Sequence, residues 1–187
     1  MLNAHLRLHR ADTIDTLIKI VIGAALLAVL SPLRFGGEAI PITLQSMLVV
    51  FLPLVFGWRI GTASVVIYLL LGAAGLPVFA DYSSGLDKFT GTSGGFLLAF
   101  PISAVLIGFV SEQTYKYPSI MAFIFLVMGQ MLILLLGLFW MQQITHESFD
   151  LLPQMQQFAP GLGVKSGIGA ALFIVLQRVS GRSRQTS

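Results

Sequence analysis

Six long apolar stretches, at about 14–31, 42–57, 60–75, 94–111, 119–141 and 160–179, are separated by shorter runs rich in glycine, proline and polar residues. None of the six carries a polar face, so each predicts a helix surrounded by lipid or by other helices rather than by water. About 20 helical residues cross a typical hydrocarbon core, and several of these stretches are shorter. The shorter ones call for flanking anchors, irregular ends or locally thinned lipid. The expectation is an all-α integral membrane protein in which residues 1–187 form a single six-helix transmembrane domain.

Composition agrees. Hydrophobic residues make up 56% of the chain and charged residues 10%, against roughly 25% charged in a soluble domain. A formal charge of +3 spread through such a chain does not point to nucleic acid, and the placement of the charges is more informative. There is no cysteine, and His5, His9 and His146 are too scattered to suggest a metal centre, so neither metal nor cofactor is expected. Arg7, Arg10 and Lys19 flank the first stretch as in a signal peptide, but LLAVLSPLRF offers no A-x-A-like cleavage site. A retained helix is the expectation.

Six spans would put both termini on one side. That side carries Arg7, Arg10, Lys19, Arg59, Lys116, Arg178, Arg182 and Arg184, whereas the opposite loops hold Arg34 and Lys88. Eight basic residues against two predict cytoplasmic termini. GWR at 57–59 is then a tight cytoplasmic turn with an aromatic belt residue. Three longer connections fall outside: SPLRFGGEAIP, the stretch GLPVFADYSSGLDKFTGTSGGF at 75–96, and QQITHESFDLLPQMQQFAP. Gly85, Gly91, Gly94 and Gly95 in the second would permit turns with positive φ. Phe79, Tyr82 and Phe89 suit a lid over a small molecule, although a turn-rich connector has the same composition.

Polar residues inside apolar stretches are the candidate chemistry. Lys165 lies about five residues into PGLGVKSGIGAALFIVLQRV, roughly 8 Å below the outer end of a helix. An ammonium there either snorkels to the interface or points into a wet cavity to meet a ligand. GVKS lacks the glycine directly before the lysine and any preceding strand, so it is no phosphate loop and no ATPase site is expected. Gln45, with Thr43 close by, can cap a helix, bridge two helices or contact a ligand; Gln130 suits an interhelical hydrogen bond; Tyr68 suits core or pocket equally. GTSG at 91–94 fits the GxSG of intramembrane serine proteases, but the histidine base that chemistry needs has no candidate within a later span, since His146 lies in a loop. A scaffold without a ligand is a third class, and would show no saturable binding.

AIPITLQSMLVVF, IGTASVVIYLLLGAAGLPVFA and SGLDKFTGTSGGFLLAFP occur in an order and spacing that resembles the BioY family, the biotin-binding S components of energy-coupling-factor (ECF) transporters. The resemblance is strong over about 38–112, moderate in the first stretch and weak in the last. It implies a multi-pass subunit of the cell's inner or plasma membrane that captures biotin from outside. Its partners would be a separate T component and two cytoplasmic ATPases. Carried over by motif, Gln45 and Lys165 become pocket residues and the GLPVFA loop with Phe79 and Tyr82 becomes the gate; Thr43 and Tyr68 are added as candidate substrate-binding residues from the reading of the spans. Ala24 and Ala28, small residues four apart in the first helix, become the surface that docks on the T component. Two departures stand out: PGLGVK places Leu162 where the family usually has an aspartate, and GTSGGF replaces GPTGGY. Leu162 keeps open a related substrate, another vitamin or a biotin precursor.

Overall fold

A computed structural model describes residues 2–35, 42–113, 119–145 and 151–183. Among the described residues, six helices of 12 residues or more overlap the six apolar stretches: α1 Leu2–Leu30, α2 Gln45–Phe56, α3 Trp58–Ala73, α5 Gly94–Gln113, α6 Ser119–Thr145 and α7 Leu151–Ser183. A 3-10 turn at Ala80–Tyr82 and a four-residue helix α4, Asp87–Thr90, lie between α3 and α5. Pure α content was the expectation, and one exception appears. β1 (Arg34–Phe35) and β2 (Ile42–Thr43) form a two-residue antiparallel ladder that pairs the backbone entering α2 with that leaving α1.

Among the described residues, four helices are long and apolar enough to cross a membrane: Asp12–Leu30, Gly94–Gln113, Ile120–Thr145 and Phe158–Val179. Their outward faces carry large apolar side chains, among them Val21 and Val29 on α1, Phe109 on α5, Phe139 on α6 and Val175 on α7, all exposed. Apolar surface on several helices at once is what a lipid solvent requires. The molecule is a multi-pass membrane protein.

The shortest of the six, α2, has another reason for its length. Residues Met47–Leu54 of α2 are buried without a break, and α2 touches α1, α3, α5, α6 and α7. A helix apolar all round that is walled in by helices need not match the thickness of a bilayer. Gly57 alone joins α2 to α3 at φ 86°, a left-handed value that a side chain would strain. The Glu112 carboxylate accepts the Trp58 N–H at 2.8 Å and so satisfies one free donor at the start of α3. Small polar side chains stitch the helices together: Ser64 Oγ donates to the Ile20 carbonyl at 3.1 Å, and Ser103 Oγ to the Gly129 carbonyl at 3.0 Å.

The connection predicted over 142–160 is mostly helix, with α6 running to Thr145 and α7 starting at Leu151. Pro153 falls within the first turn of α7, where its missing N–H costs nothing. Residues 36–41 of the first external connection, 146–150 of the third (His146 included), 114–118 with Lys116, and Arg184 lie outside the described residues.

Ala24 is 3% exposed, and Ala28 is half-buried against the core. Ala24 is therefore turned into the chain's own interior, and its neighbour Gly23 lies against α3, where a Cβ would come 2.4 Å from Ser64 Oγ. The outward stripe of α1 is Val21, Ala25, Leu26 and Val29.

Candidate functional site

Residues 75–96 form a cover braced against α3 and α6. Phe79 and Val78 are buried, and Phe79 meets Tyr68 and Phe89 edge to face with ring centres 5.6 and 5.9 Å apart. The Gly85 N–H reaches back to the Gly72 carbonyl at 2.8 Å, and the Trp140 indole N–H on α6 donates to the Gly91 carbonyl at 3.0 Å. Of the four glycines that would permit a turn with positive φ, Gly85 adopts one (φ 106°). Gly91 has φ −81°, and Gly94 and Gly95 open α5. Their smallness serves contact instead: a Cβ on Gly95 would lie 2.2 Å from that of Trp140. The left-handed residues beside Gly85 are Asp81 and Tyr82, both at φ 56°, a conformation that costs roughly 1–2 kcal/mol for each L-residue.

Beneath this cover is a cavity of about 510 Å³, within the roughly 300–1,000 Å³ usual for small-molecule sites. β2 contributes Thr43 and the start of α2 Gln45 and Ser46; the cover contributes Phe79, Ala80, Ser83, Lys88 and Ser93. Apolar walls come from Phe96, Leu97 and Phe100 on α5 and from Ile133, Leu134, Leu138 and Met141 on α6, while α7 adds Phe158, Gly161, Leu162 and Lys165. Buried α2 is what brings Gln45 and Ser46 to the centre of the bundle.

The polar groups form two connected sets. In the first, Lys165 Nζ donates to Ser46 Oγ at 2.9 Å, Ser46 Oγ donates to Gln130 Oε1 at 3.4 Å, and Gln130 Nε2 donates to Ser166 Oγ at 2.8 Å. A lysine has only donors, so Ser46 must accept from it and direct its own proton to Gln130. In the second, Gln45 Nε2 donates to the Tyr68 hydroxyl at 2.7 Å, and that hydroxyl donates to the Val78 carbonyl at 3.1 Å. Tyr68, fully buried, thereby links the Gln45 amide to the root of the cover. Among the described residues lining the cavity there are two lysines and no carboxylate. Among the described residues no group of three or more His, Cys, Asp or Glu could hold a metal.

Thr43, Gln45, Phe79 and Lys165 thus come together from four segments. Tyr68 does not line the cavity: it stands behind Gln45 and Phe79 as a support. Tyr82 does not line it either: it is 64% exposed, on a backbone at φ 56°. Ser46, Ser83, Lys88, Phe96 and Phe100 join the site without having been singled out, and Gln130, read as an interhelical bond, makes that bond and also faces the cavity. Leu162 lines the cavity one turn from Lys165. Ser93 of GTSG lines it too.

A family model described as the BioY family matches residues 4–182. The chain is 39% identical over 136 residues to the biotin transporter BioY2 of Lactococcus lactis subsp. cremoris, covering 73% of this chain and 74% of that one. It is 35% identical over 131 residues to the biotin transporter BioY of Thermotoga maritima, covering 70% and 76%. Among solved structures, the crystal structure of the S-component for biotin from an ECF-type ABC transporter superposes with a TM-score of 0.78 at 26% identity, covering 90% of this chain and 93% of that one. With a match running nearly from end to end, and with this helical architecture shared, the chain belongs to the BioY family.

Proposed function

We propose that this protein is the substrate-binding membrane subunit of a biotin uptake system. The observation that carries the reading is the covered cavity, apolar and aromatic in its walls and polar at Thr43, Gln45, Ser46, Gln130 and Lys165. Relatives named as biotin transporters and the S-component for biotin support it. Biotin pairs an apolar bicyclic body and aliphatic chain with a ureido group and a carboxylate. Phe79, Phe96 and Phe100 suit the former, and the hydrogen-bonding floor suits a urea.

In this reading six helices cross the cell's plasma membrane, both termini are cytoplasmic, and residues 75–96 form the external lid. The subunit performs no chemistry; a separate T component and two cytoplasmic ATPases supply the energy. We assign the surface for the T component to the outward stripe Val21, Ala25 and Val29 of α1, since Ala24 is covered by this chain.

Leu162 favours a second reading, a biotin precursor or another vitamin, because an apolar side chain occupies the wall beside Lys165. Labelled biotin bound to the purified protein, challenged with excess of other vitamins and of biotin precursors, separates the two. Displacement by unlabelled biotin alone is the expected result; tighter binding of a competitor would transfer the assignment to it.

A further inference from the structure

The two lysines of the cavity stand in different surroundings. Lys165 is on the floor, bonded to Ser46 and one step from Gln130, among neutral groups that both donate and accept. Lys88, on α4, lines the cavity while its side chain remains 38% exposed, so it stands at the mouth. Its Nζ is 3.7 Å from Oδ2 of Asp87, a carboxylate that is itself 73% exposed. Such a long pair between exposed, adjacent residues is weak and readily exchanged.

A carboxylate is far costlier to strip of water than a neutral urea. At the mouth an anion keeps part of its hydration while meeting an ammonium; on the floor it would lose that hydration and gain a single cation. A urea, with two N–H donors and one acceptor, makes better use of a floor built from amides, hydroxyls and one ammonium. Resting on the biotin reading, we propose that Lys88 is the specificity residue for the ligand's carboxylate. The ligand takes the place of Asp87 at the Lys88 ammonium and so ties α4 across the filled cavity, while the ureido group lies beside Lys165. Closure of the cover is then sensed at the acid end of the ligand.

The test is equilibrium binding of biotin and of its neutral carboxamide to the purified full chain. The unmodified protein should prefer biotin by roughly tenfold at low ionic strength, as a charge-assisted hydrogen bond implies. Added salt should erode that preference. Lys88→Gln should bind both ligands with the affinity of the carboxamide, and Lys88→Arg should retain the preference. Asp87→Asn, which frees Lys88, should tighten biotin and leave the carboxamide unchanged. A Lys88→Gln protein that keeps the preference, or that weakens both ligands alike, overturns the assignment of Lys88 while leaving the biotin reading intact. Loss of biotin affinity in Asp87→Asn overturns the exchange. Failure of the unmodified protein to bind either ligand removes the biotin reading and this inference with it.

Discussion

Lys165 donates from Nζ to the hydroxyl of Ser46 across 2.9 Å, closing α7 onto the start of α2 over a separation of 119 residues. The side chain is therefore turned into the bundle and does not reach for the outer interface. Its remaining N–H groups are available to a ligand on the cavity floor. Lys165→Ala should weaken biotin binding by about 1–3 kcal/mol, or roughly 5- to 150-fold. Lys165→Arg should not restore it, because the planar fork is larger and aims its donors differently. Ser46→Ala should cost less, since it removes the support and leaves the cation. Calorimetry on the three variants measures this, and an unchanged affinity in Lys165→Ala would place the ligand away from α7.

Tyr68→Phe removes one oxygen and leaves two groups unpaired, the Gln45 N–H and the Val78 carbonyl. Both are buried, so the protein should lose about 1–3 kcal/mol of stability. Because Val78 begins the cover, biotin should also dissociate faster. A thermal melt together with a dissociation rate checks both effects; a faster off-rate with an unchanged melt would mean that Tyr68 touches the ligand itself.

The helices could be read from the chain because apolar blocks in lipid need no partner to be recognised: each of the six stretches overlaps a helix, though α1 and α7 begin well before theirs. Lys165 and Gln45 could be read for a related reason, since a cation or an amide in an apolar run is costly unless it is used. Ser46, Phe96 and Phe100 could not, because a serine or phenylalanine in such a run has the same local pattern whether it faces a cavity, a neighbour or lipid. Facing directions also decided Tyr68, Tyr82 and Ala24. Which side of a helix points inward depends on its neighbours, and Ala24 and Ala25 differ by a rotation of about 100° that no local signal marks.

That rotation makes a paired experiment possible on α1. Ala25→Trp, on the outward stripe, should block association with a T component while leaving biotin affinity within about twofold, as a surface change far from the cavity implies. Ala24→Trp should instead overpack the buried face of α1 and destabilise the isolated protein by about 1–3 kcal/mol or more. Co-purification and thermal melts read the two outcomes. A stable Ala24→Trp protein that no longer associates would return the docking surface to Ala24 and Ala28.

The cover meets α6 where the Trp140 indole N–H donates to the Gly91 carbonyl and the Trp140 Cβ lies where a side chain on Gly95 would go. Trp140→Phe deletes the hydrogen bond and keeps most of the ring, a loss of about 1 kcal/mol. Gly95→Ala forces α5 away from α6 and should cost more, about 1–3 kcal/mol, since the Leu136 carbonyl also lies 3.0 Å from the new Cβ and backbone yields poorly. Both changes should raise hydrogen exchange over residues 79–92, with Gly95→Ala the larger, and both should speed biotin release. In the unmodified protein biotin should slow exchange over the same residues, because a filled cavity supports Phe79 and Lys88 from below. Exchange over 79–92 that responds to neither substitution nor to biotin would mean that the cover is rigid without its α6 anchor and that entry to the cavity lies elsewhere.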